Sequence, residues 1–362
     1  MDVLVVNAGS SSFKLSLLDS ADRILAATEV EHWDTEDPPP NLRAFLNAGP
    51  VPGAVGHRIV HGGPKLTTAA VLDPLVRQEI EAVTGLAPLH QPRALAGIDA
   101  VSKLLPGVPA VACFDTAFHA GMPAAAATYA LPAAWRERFG LRRHGFHGLS
   151  HAYASRRAAQ LVGSTPERLR MVSCHLGAGA SLAAVRHGQS VDTTMGFTPL
   201  EGLVMATRPG NTDPGLLVWL LQDGRLSLDE LSSGLEQRSG LAGLAGAPDI
   251  RDVLPRADRG DAAAVLAIDV YLHRLRQLIA GMAAAMDGLD VLVFTGGVGE
   301  HQPPIRARAV PGFLGAAIDE QLNQAASSDA DITAPDAAVR TLVITAREDI
   351  EIARQVRALL SV

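Results

Sequence analysis

The sequence predicts an α/β protein in which one strand–glycine turn–strand design is used twice. Short apolar runs alternate with helical stretches, the design recurs about half a chain later, and glycine-rich segments follow predicted strands. The first run, residues 3–6, leads into the polar turn Asn7-Ala8-Gly9-Ser10-Ser11-Ser12. Phe13, Leu15 and Leu17 then alternate with Lys14 and Ser16, as a half-buried strand requires. Residues 34–52, with prolines at 38, 39 and 40, read as a connector. Pro92 suits the first position of a helix with Leu95, Ile98, Val101 and Leu105 on one side. Residues 171–174 reopen the design through His175-Leu176-Gly177-Ala178-Gly179-Ala180-Ser181, followed by a strand at 182–185 and a turn at Gly188-Gln189. Asp261 caps a long helix bearing Val265, Ile268, Leu272, Leu275, Leu278 and Met282, ending at Gly288. A strand at 291–294 empties into Gly296-Gly297-Val298-Gly299, and a strand at 342–344 precedes a final helix from about 349 to 360. Two unrelated hairpins are the alternative to a duplication.

Composition bounds the function. The 362 residues make about two domains or one large one, and 48% hydrophobic against 19% charged residues supplies a core. A net charge of −7 gives no electrostatic attraction to nucleic acid or an anionic membrane. Cys113 and Cys174 lie in apolar runs and read as buried thiols. The start lacks the basic region of a signal peptide, and no apolar run nears a membrane span of roughly 18 residues. A cytoplasmic protein without nucleic-acid or membrane partners is expected.

Glycine lets backbone approach a ligand, and successive amides can cradle phosphate oxygens. Three glycine turns, at 7–12, 177–179 and 296–299, therefore point to phosphate binding, while the Walker A and protein-kinase motifs are absent. Arg58 stands between a short strand and a glycine turn, Arg208 at a loop edge, Asp115 at the end of an apolar strand, and His147 beside Gly145 and Gly148. Singly, the arginines suit salt bridges and His147 a satisfied core position. Together they supply what phosphoryl transfer needs.

The motifs VNAGSSSFKL, GHRIVHGG, LAPLHQP, FDTAFH, RHGFHGLSH, HLGAG, DTTMGFTPLEGL, TRPG, FTGGVGE and TAREDIEIAR are specific in this order. Through them the chain resembles the acetate and propionate kinase family of the actin/hexokinase/Hsp70 superfamily, essentially from Val3 to Arg354. The resemblance implies two duplicated ribonuclease H-like (actin-like ATPase) domains with an active-site cleft between them, and a homodimer. The first domain would be 1–150, completed by the C-terminal helix at about 349–362, and the second 151–348. It implies ATP and ADP as co-substrates and Mg2+ or Mn2+ as cofactor, with acetate converted to acetyl phosphate.

Position by position, Asn7 and Glu348 match the metal-binding positions. Lys14, the segment His175, Leu176, Gly177, Ala178 and Gly179, the segment Asp249, Ile250 and Arg251, and the segment Gly297, Val298, Gly299, Glu300 and His301 match the nucleotide-binding ones. Arg58 matches the substrate-carboxylate arginine, Asp115 the catalytic carboxylate, and His147 and Arg208 the transition-state stabilisers. Val60, Leu89, Phe146 and Pro199 match the methyl pocket. The usual HLGNG reads HLGAG, TRSGD reads TRPGN, and TNEE reads TARE, leaving one acid at Glu348. Propionate or butyrate kinase activity, a non-ATP phosphoryl donor, and a catalytically weakened nucleotide-binding sensor of the same fold are the alternatives.

Overall fold

The computed structural model describes residues 1–9, 12–31, 33, 42–310 and 312–360. The chain falls into two compact units. The first comprises Met1–Ala120, Phe146–Tyr153 and Arg347–Val362, and the second Gly121–Gly145 and Ala154–Ala346.

In the first unit, strands β1 (Val3–Ala8), β2 (Ser12–Leu18), β3 (Ile24–Glu31), β4 (Ala54–Ile59), β5 (Ala70–Val71) and β6 (Ala110–Phe114) form a sheet in the order β3-β2-β1-β4-β6-β5. Strands β1, β4 and β6 run parallel, and the remaining pairings are antiparallel. The uninterrupted apolar run at 3–6 means both faces of β1 are covered. Leu4 and Val6 pack with Phe13, Leu15, Val55 and Val101, the last from the helix Gln91–Leu104. Val3 and Val5 pack with Val111, Leu149, Ile352 and Val356, the last two from the helix Glu348–Leu360. Gly56 is needed for this second layer, because a Cβ there would overlap Ile352 and stand 2.8 Å from Val356 Cγ2.

The second unit repeats the plan. Strands β7 (Arg170–Leu176), β8 (Ala180–Arg186), β9 (Gln189–Thr193), β10 (Val291–Thr295), β11 (Ala330–Asp331) and β12 (Arg340–Val343) pair in the order β9-β8-β7-β10-β12-β11. Each pairing has the same direction as its counterpart in the first sheet. Shared order and direction across all pairings make this a duplication, not two unrelated hairpins. His187 and Gly188, with φ of 55° and 74°, make the tight turn between β8 and β9.

Several local expectations change. Asn7 and Ala8 belong to β1, paired with Lys14 and Phe13, so the first turn is shorter than the polar stretch suggested. Ser10 and Ser11 lie outside the described residues, as do residues 34–41 of the connector. The connector's remainder contains a helix, Leu42–Ala48, whose buried Leu42 joins the core of the first unit. Asp261 does cap the helix Ala262–Ala284, accepting from the amides of Ala263 and Ala264. Its buried stripe runs through Ile268, Leu272, Leu275, Ile279 and Met282, leaving Val265 exposed and Leu278 only half-buried, because four residues from Leu275 comes nearer a full turn than three. Residues 296–299 are no turn but the start of a helix, Gly296–His301. Gly296 makes the entry with φ of 76°, where a Cβ would stand 2.8 Å from the Leu176 carbonyl oxygen. Both cysteines are fully buried, and burial pushes the Cys113 thiol up to about 12. Among the described residues no helix is long and apolar enough to cross a membrane.

Candidate active site

In the first unit the sheet carries a polar cluster at one end of its parallel strands. Arg58, the penultimate residue of β4, donates from Nε to Asp115 at 3.1 and 3.3 Å and from Nη2 at 2.6 Å. Its Nη1 donates to Asn7 Oδ1 at 3.1 Å. Asp115 directly follows β6, and its amide donates to the Ile59 carbonyl at 2.9 Å, so neighbouring strands hold the two partners. Burial alone would lower the Arg58 pKa, but the charge and hydrogen bonds of Asp115, with Glu348 further off, raise it above its ordinary value. Glu348 opens the helix Glu348–Leu360.

The Gly148 amide donates to the Asp115 carbonyl at 2.9 Å, and a Cβ at Gly148 would collide with that oxygen. This close approach brings Phe146 and His147 to the same end of the sheet. His147 has φ of 55°, an uncommon backbone state for a non-glycine residue and one found at functional sites. The ring of His119 bonds the Phe146 carbonyl at 3.0 Å, and the Phe146 ring meets His61 edge-on with centroids 5.5 Å apart. Val60 and Phe146 are buried, whereas Leu89 is exposed. Lys14 is exposed on β2 and pairs with Glu29 at 3.1 Å.

The second unit contains a cavity of about 560 Å³. Gly177 and Ala178, between β7 and β8, line it with Asp249, Ile250, Arg251, Gly297, Val298 and His301. These come from all three segments of this unit expected to bind nucleotide. Of the same segments, His175, Leu176, Gly179, Gly299 and Glu300 stand outside the lining. Asp249 caps the helix Ile250–Asp258 by accepting from the Arg251 amide, and pairs with the Arg251 guanidinium at 2.5 Å. The hydrogen bond from that guanidinium, more than any other contact, lowers the Asp249 pKa against the opposing effect of burial. The Ala178 carbonyl accepts from Ala206 at 3.1 Å, joining the glycine loop to the chain leading to Arg208. Burial lowers the Arg208 pKa, and its Nη1 donates to the Pro199 carbonyl at 3.4 Å.

Sequence reasoning missed Ala206, Leu241, Pro248, Tyr271 and Gln302 on the cavity wall. Most are apolar residues whose only signal is packing. It also missed Arg306, fully buried, which donates to the carbonyls of Gly299 and Glu300 at 2.9 and 2.7 Å and to Asn323 Oδ1 at 2.8 Å. An arginine inside the apolar stretch following a glycine segment was the available signal.

Among the described residues no group of three or more His, Cys, Asp or Glu forms a ready-made metal site. Asn7 and Glu348 instead offer hard oxygen donors of the kind that suit a magnesium ion held chiefly by phosphate and water.

The acetokinase family profile matches residues 51–354. An acetate kinase of Synechococcus sp. is 44% identical over 99% of both chains. The crystal structure of Porphyromonas gingivalis acetate kinase superposes with a TM-score of 0.90 at 35% identity, covering 99% of this chain and 100% of that one. A propionate kinase from Francisella tularensis subsp. tularensis SCHU S4 superposes equally well, with a TM-score of 0.90 at 34% identity over 98% of each chain.

Proposed function

The chain belongs to the acetokinase family, and on that premise we propose that it transfers the γ-phosphoryl group of ATP reversibly to acetate, giving acetyl phosphate and ADP. It is a phosphotransferase of α/β, actin-like ATPase fold. The observation that most supports the reading is the cavity of about 560 Å³ in the second unit, whose walls come from all three of that unit's expected nucleotide segments.

The chemistry follows from the charges. A carboxylate oxygen attacks the γ-phosphorus as the bond to the β,γ-bridging oxygen breaks, and ADP leaves. The acceptor is already ionised at neutral pH, so no strong general base is needed. What must be overcome is repulsion between two anions, and cations in fixed positions do this. We assign Arg58 to the acid's carboxylate, and Arg208 and His147 to the transferring group. Asp115 accepts through both oxygens from Arg58 and so orients that guanidinium instead of removing a proton. We assign Val60, Leu89, Phe146 and Pro199 to recognition of the acid's methyl group. Asn7 and Glu348 would hold a Mg2+ ion, or Mn2+ in its place. When bound, the ion neutralises phosphate charge. Lys14 and the segments at 175–179, 249–251 and 297–301 bind the nucleotide.

We assign residues 1–150 with the terminal helix at about 349–362, and residues 151–348, as the two functional domains. The protein is read as a cytoplasmic homodimer. The helix Pro214–Leu221 supports self-association, because it leaves Leu216, Val218, Trp219 and Leu221 exposed. Similarity to a propionate kinase keeps a longer acid as the second reading. A hydroxamate assay with acetate, propionate and butyrate, each with ATP or pyrophosphate, decides among them. Acetate-dependent, ATP-dependent acyl phosphate is the expected product. Nucleotide binding without any acyl phosphate would instead mark a sensor.

A further inference from the structure

Tyr129, Arg143 and Glu201, all in the second unit, form a polar cluster to which none of the roles above assigns a task. The Tyr129 hydroxyl donates to Glu201 Oε2 at 2.7 Å, and Arg143 Nη2 donates to Glu201 Oε1 at 2.5 Å. Arg143 also lies over the Tyr129 ring, 5.5 Å from its centroid. Burial and the neighbouring Glu201 raise the Tyr129 pKa, which keeps the hydroxyl protonated as a donor.

The cluster fastens one segment, residues 194–201. Arg143 Nη1 donates to the carbonyls of Thr194 and Met195, each at 3.1 Å, and the Phe197 amide donates to the Tyr129 hydroxyl oxygen at 2.8 Å. The Gly196 carbonyl accepts from the amides of His144 and Gly145 at 3.0 and 3.3 Å. Gly196 admits no side chain, because a Cβ there would collide with both Glu201 Oε2 and the Tyr129 oxygen. The segment has no regular secondary structure of its own to hold it. Its side chains are therefore only as well placed as these anchors make them.

Two groups of the proposed reaction depend on this segment. Pro199 belongs to the methyl pocket, and its carbonyl accepts from Arg208 Nη1 at 3.4 Å. We propose that Tyr129, Glu201 and Arg143 are positioning residues for the acceptor side of the reaction, holding residues 194–201 so that Pro199 and the Arg208 side chain it accepts from keep their places. This rests on the roles proposed for Pro199 and Arg208. Misplacement of a reacting group by about 1 Å is enough to lose much of the rate.

The test compares purified Tyr129→Phe and Glu201→Gln with wild type in steady-state kinetics and thermal melts. Tyr129→Phe removes one hydroxyl from a buried network, so the acetate KM should rise about five- to tenfold and kcat should fall several-fold. The ATP KM should stay within about twofold of wild type, since the nucleotide cavity does not include this segment. Glu201→Gln keeps an oxygen for Tyr129 but turns its amide nitrogen toward the Arg143 guanidinium and ends that ion pair, so it should move the same parameters at least as far. A merely structural cluster would lower the melting temperature and the active fraction but leave the acetate KM alone, and that result overturns the proposal. If Tyr129→Phe does not fold, Glu201→Gln decides by the same criterion. Wild-type enzyme that makes no acyl phosphate from acetate fails the functional reading instead.

Discussion

Arg58 grips Asp115 with two nitrogens, Nε at 3.1 Å and Nη2 at 2.6 Å, while its third nitrogen reaches the Asn7 amide oxygen at 3.1 Å. The guanidinium is thus held from adjacent strands, and Asp115, 2% exposed at its side chain, is its buried counter-charge. A pair built this way fixes direction as well as charge.

Removing either cation proposed to act on the reacting groups should be severe. Arg58→Ala and Arg208→Ala should each cut kcat/KM by about 10³-fold or more, and lysine should restore little because it lacks the planar fork. Arg58→Ala also strands a buried carboxylate, so it should lose about 3–5 kcal/mol of stability. Steady-state kinetics with matched melts separate the two effects. Near-normal turnover in both alanine variants refutes the catalytic assignment.

Ala178 stands on the cavity wall, at the position where the motif resemblance leads one to expect asparagine. In the proposed nucleotide site a side-chain amide there would have a nitrogen to donate to an anionic phosphate oxygen, as a methyl group does not, and such a bond contributes roughly 1.5–3 kcal/mol. Ala178→Asn should raise kcat/KM for ATP by at least about fivefold and leave the acetate KM nearly unchanged. ATP kinetics that do not move would show that the loop amides suffice. A gain with ATP coupled to a loss with pyrophosphate would reveal a shifted donor.

Val60 follows β4 directly and is buried beside the Arg58 strand. Its two methyls set the depth of the proposed pocket, so acetate should be preferred to propionate. A misfit methylene is worth roughly 1–3 kcal/mol, and Val60→Ala should move selectivity toward propionate by about tenfold. The ratio of kcat/KM values for the two acids is the readout. A wild type that prefers propionate, or an unchanged ratio in the variant, removes Val60 from the pocket.

Acid should unfold the protein through its buried histidines. Burial pushes His57 down to about 3 and His119 to about 4, and burial together with the Arg142 charge pushes His144 to about 4. Each lies below the value of roughly 6.5 in an unfolded chain, so the unfolded state binds protons first as pH falls. Their contribution is complete above about pH 6.5 and drains away toward pH 4, on the order of 1 kcal/mol per pH unit for each histidine. Urea unfolding at pH 7, 6 and 5 should show this loss, and a flat profile contradicts it.

What could be read in the sequence was what local chemistry decides. The Asp261 cap, the buried run at 3–6 and the glycine turn after β7 each depend on a few neighbouring residues, and all appear as expected. The helix at 296–301 was misread because glycine signals a turn, whereas here Gly296 serves close packing against Leu176. Leu241 and Tyr271 on the cavity wall were invisible for another reason: an apolar residue facing a cavity has the same sequence signature as one facing the core. The ion pair of Arg58 with Asp115 joins residues 57 positions apart, and no periodicity links them. Each was legible alone, as a charge where an apolar strand meets a turn; their pairing was not.

The helix Glu348–Leu360 has a meaning for biosynthesis. Ile352, Ala353 and Val356 complete the layer over Val3 and Val5, so β1 waits for a helix far later in the chain. During translation that face of the first sheet has only Leu149, from the helix Gly148–Leu161, over it until residues 352–356 follow, while every described strand of the second sheet has been made by residue 343. A chain made from residue 3 onward therefore keeps part of that apolar face open until residues 352–356 follow, long after the strand itself exists.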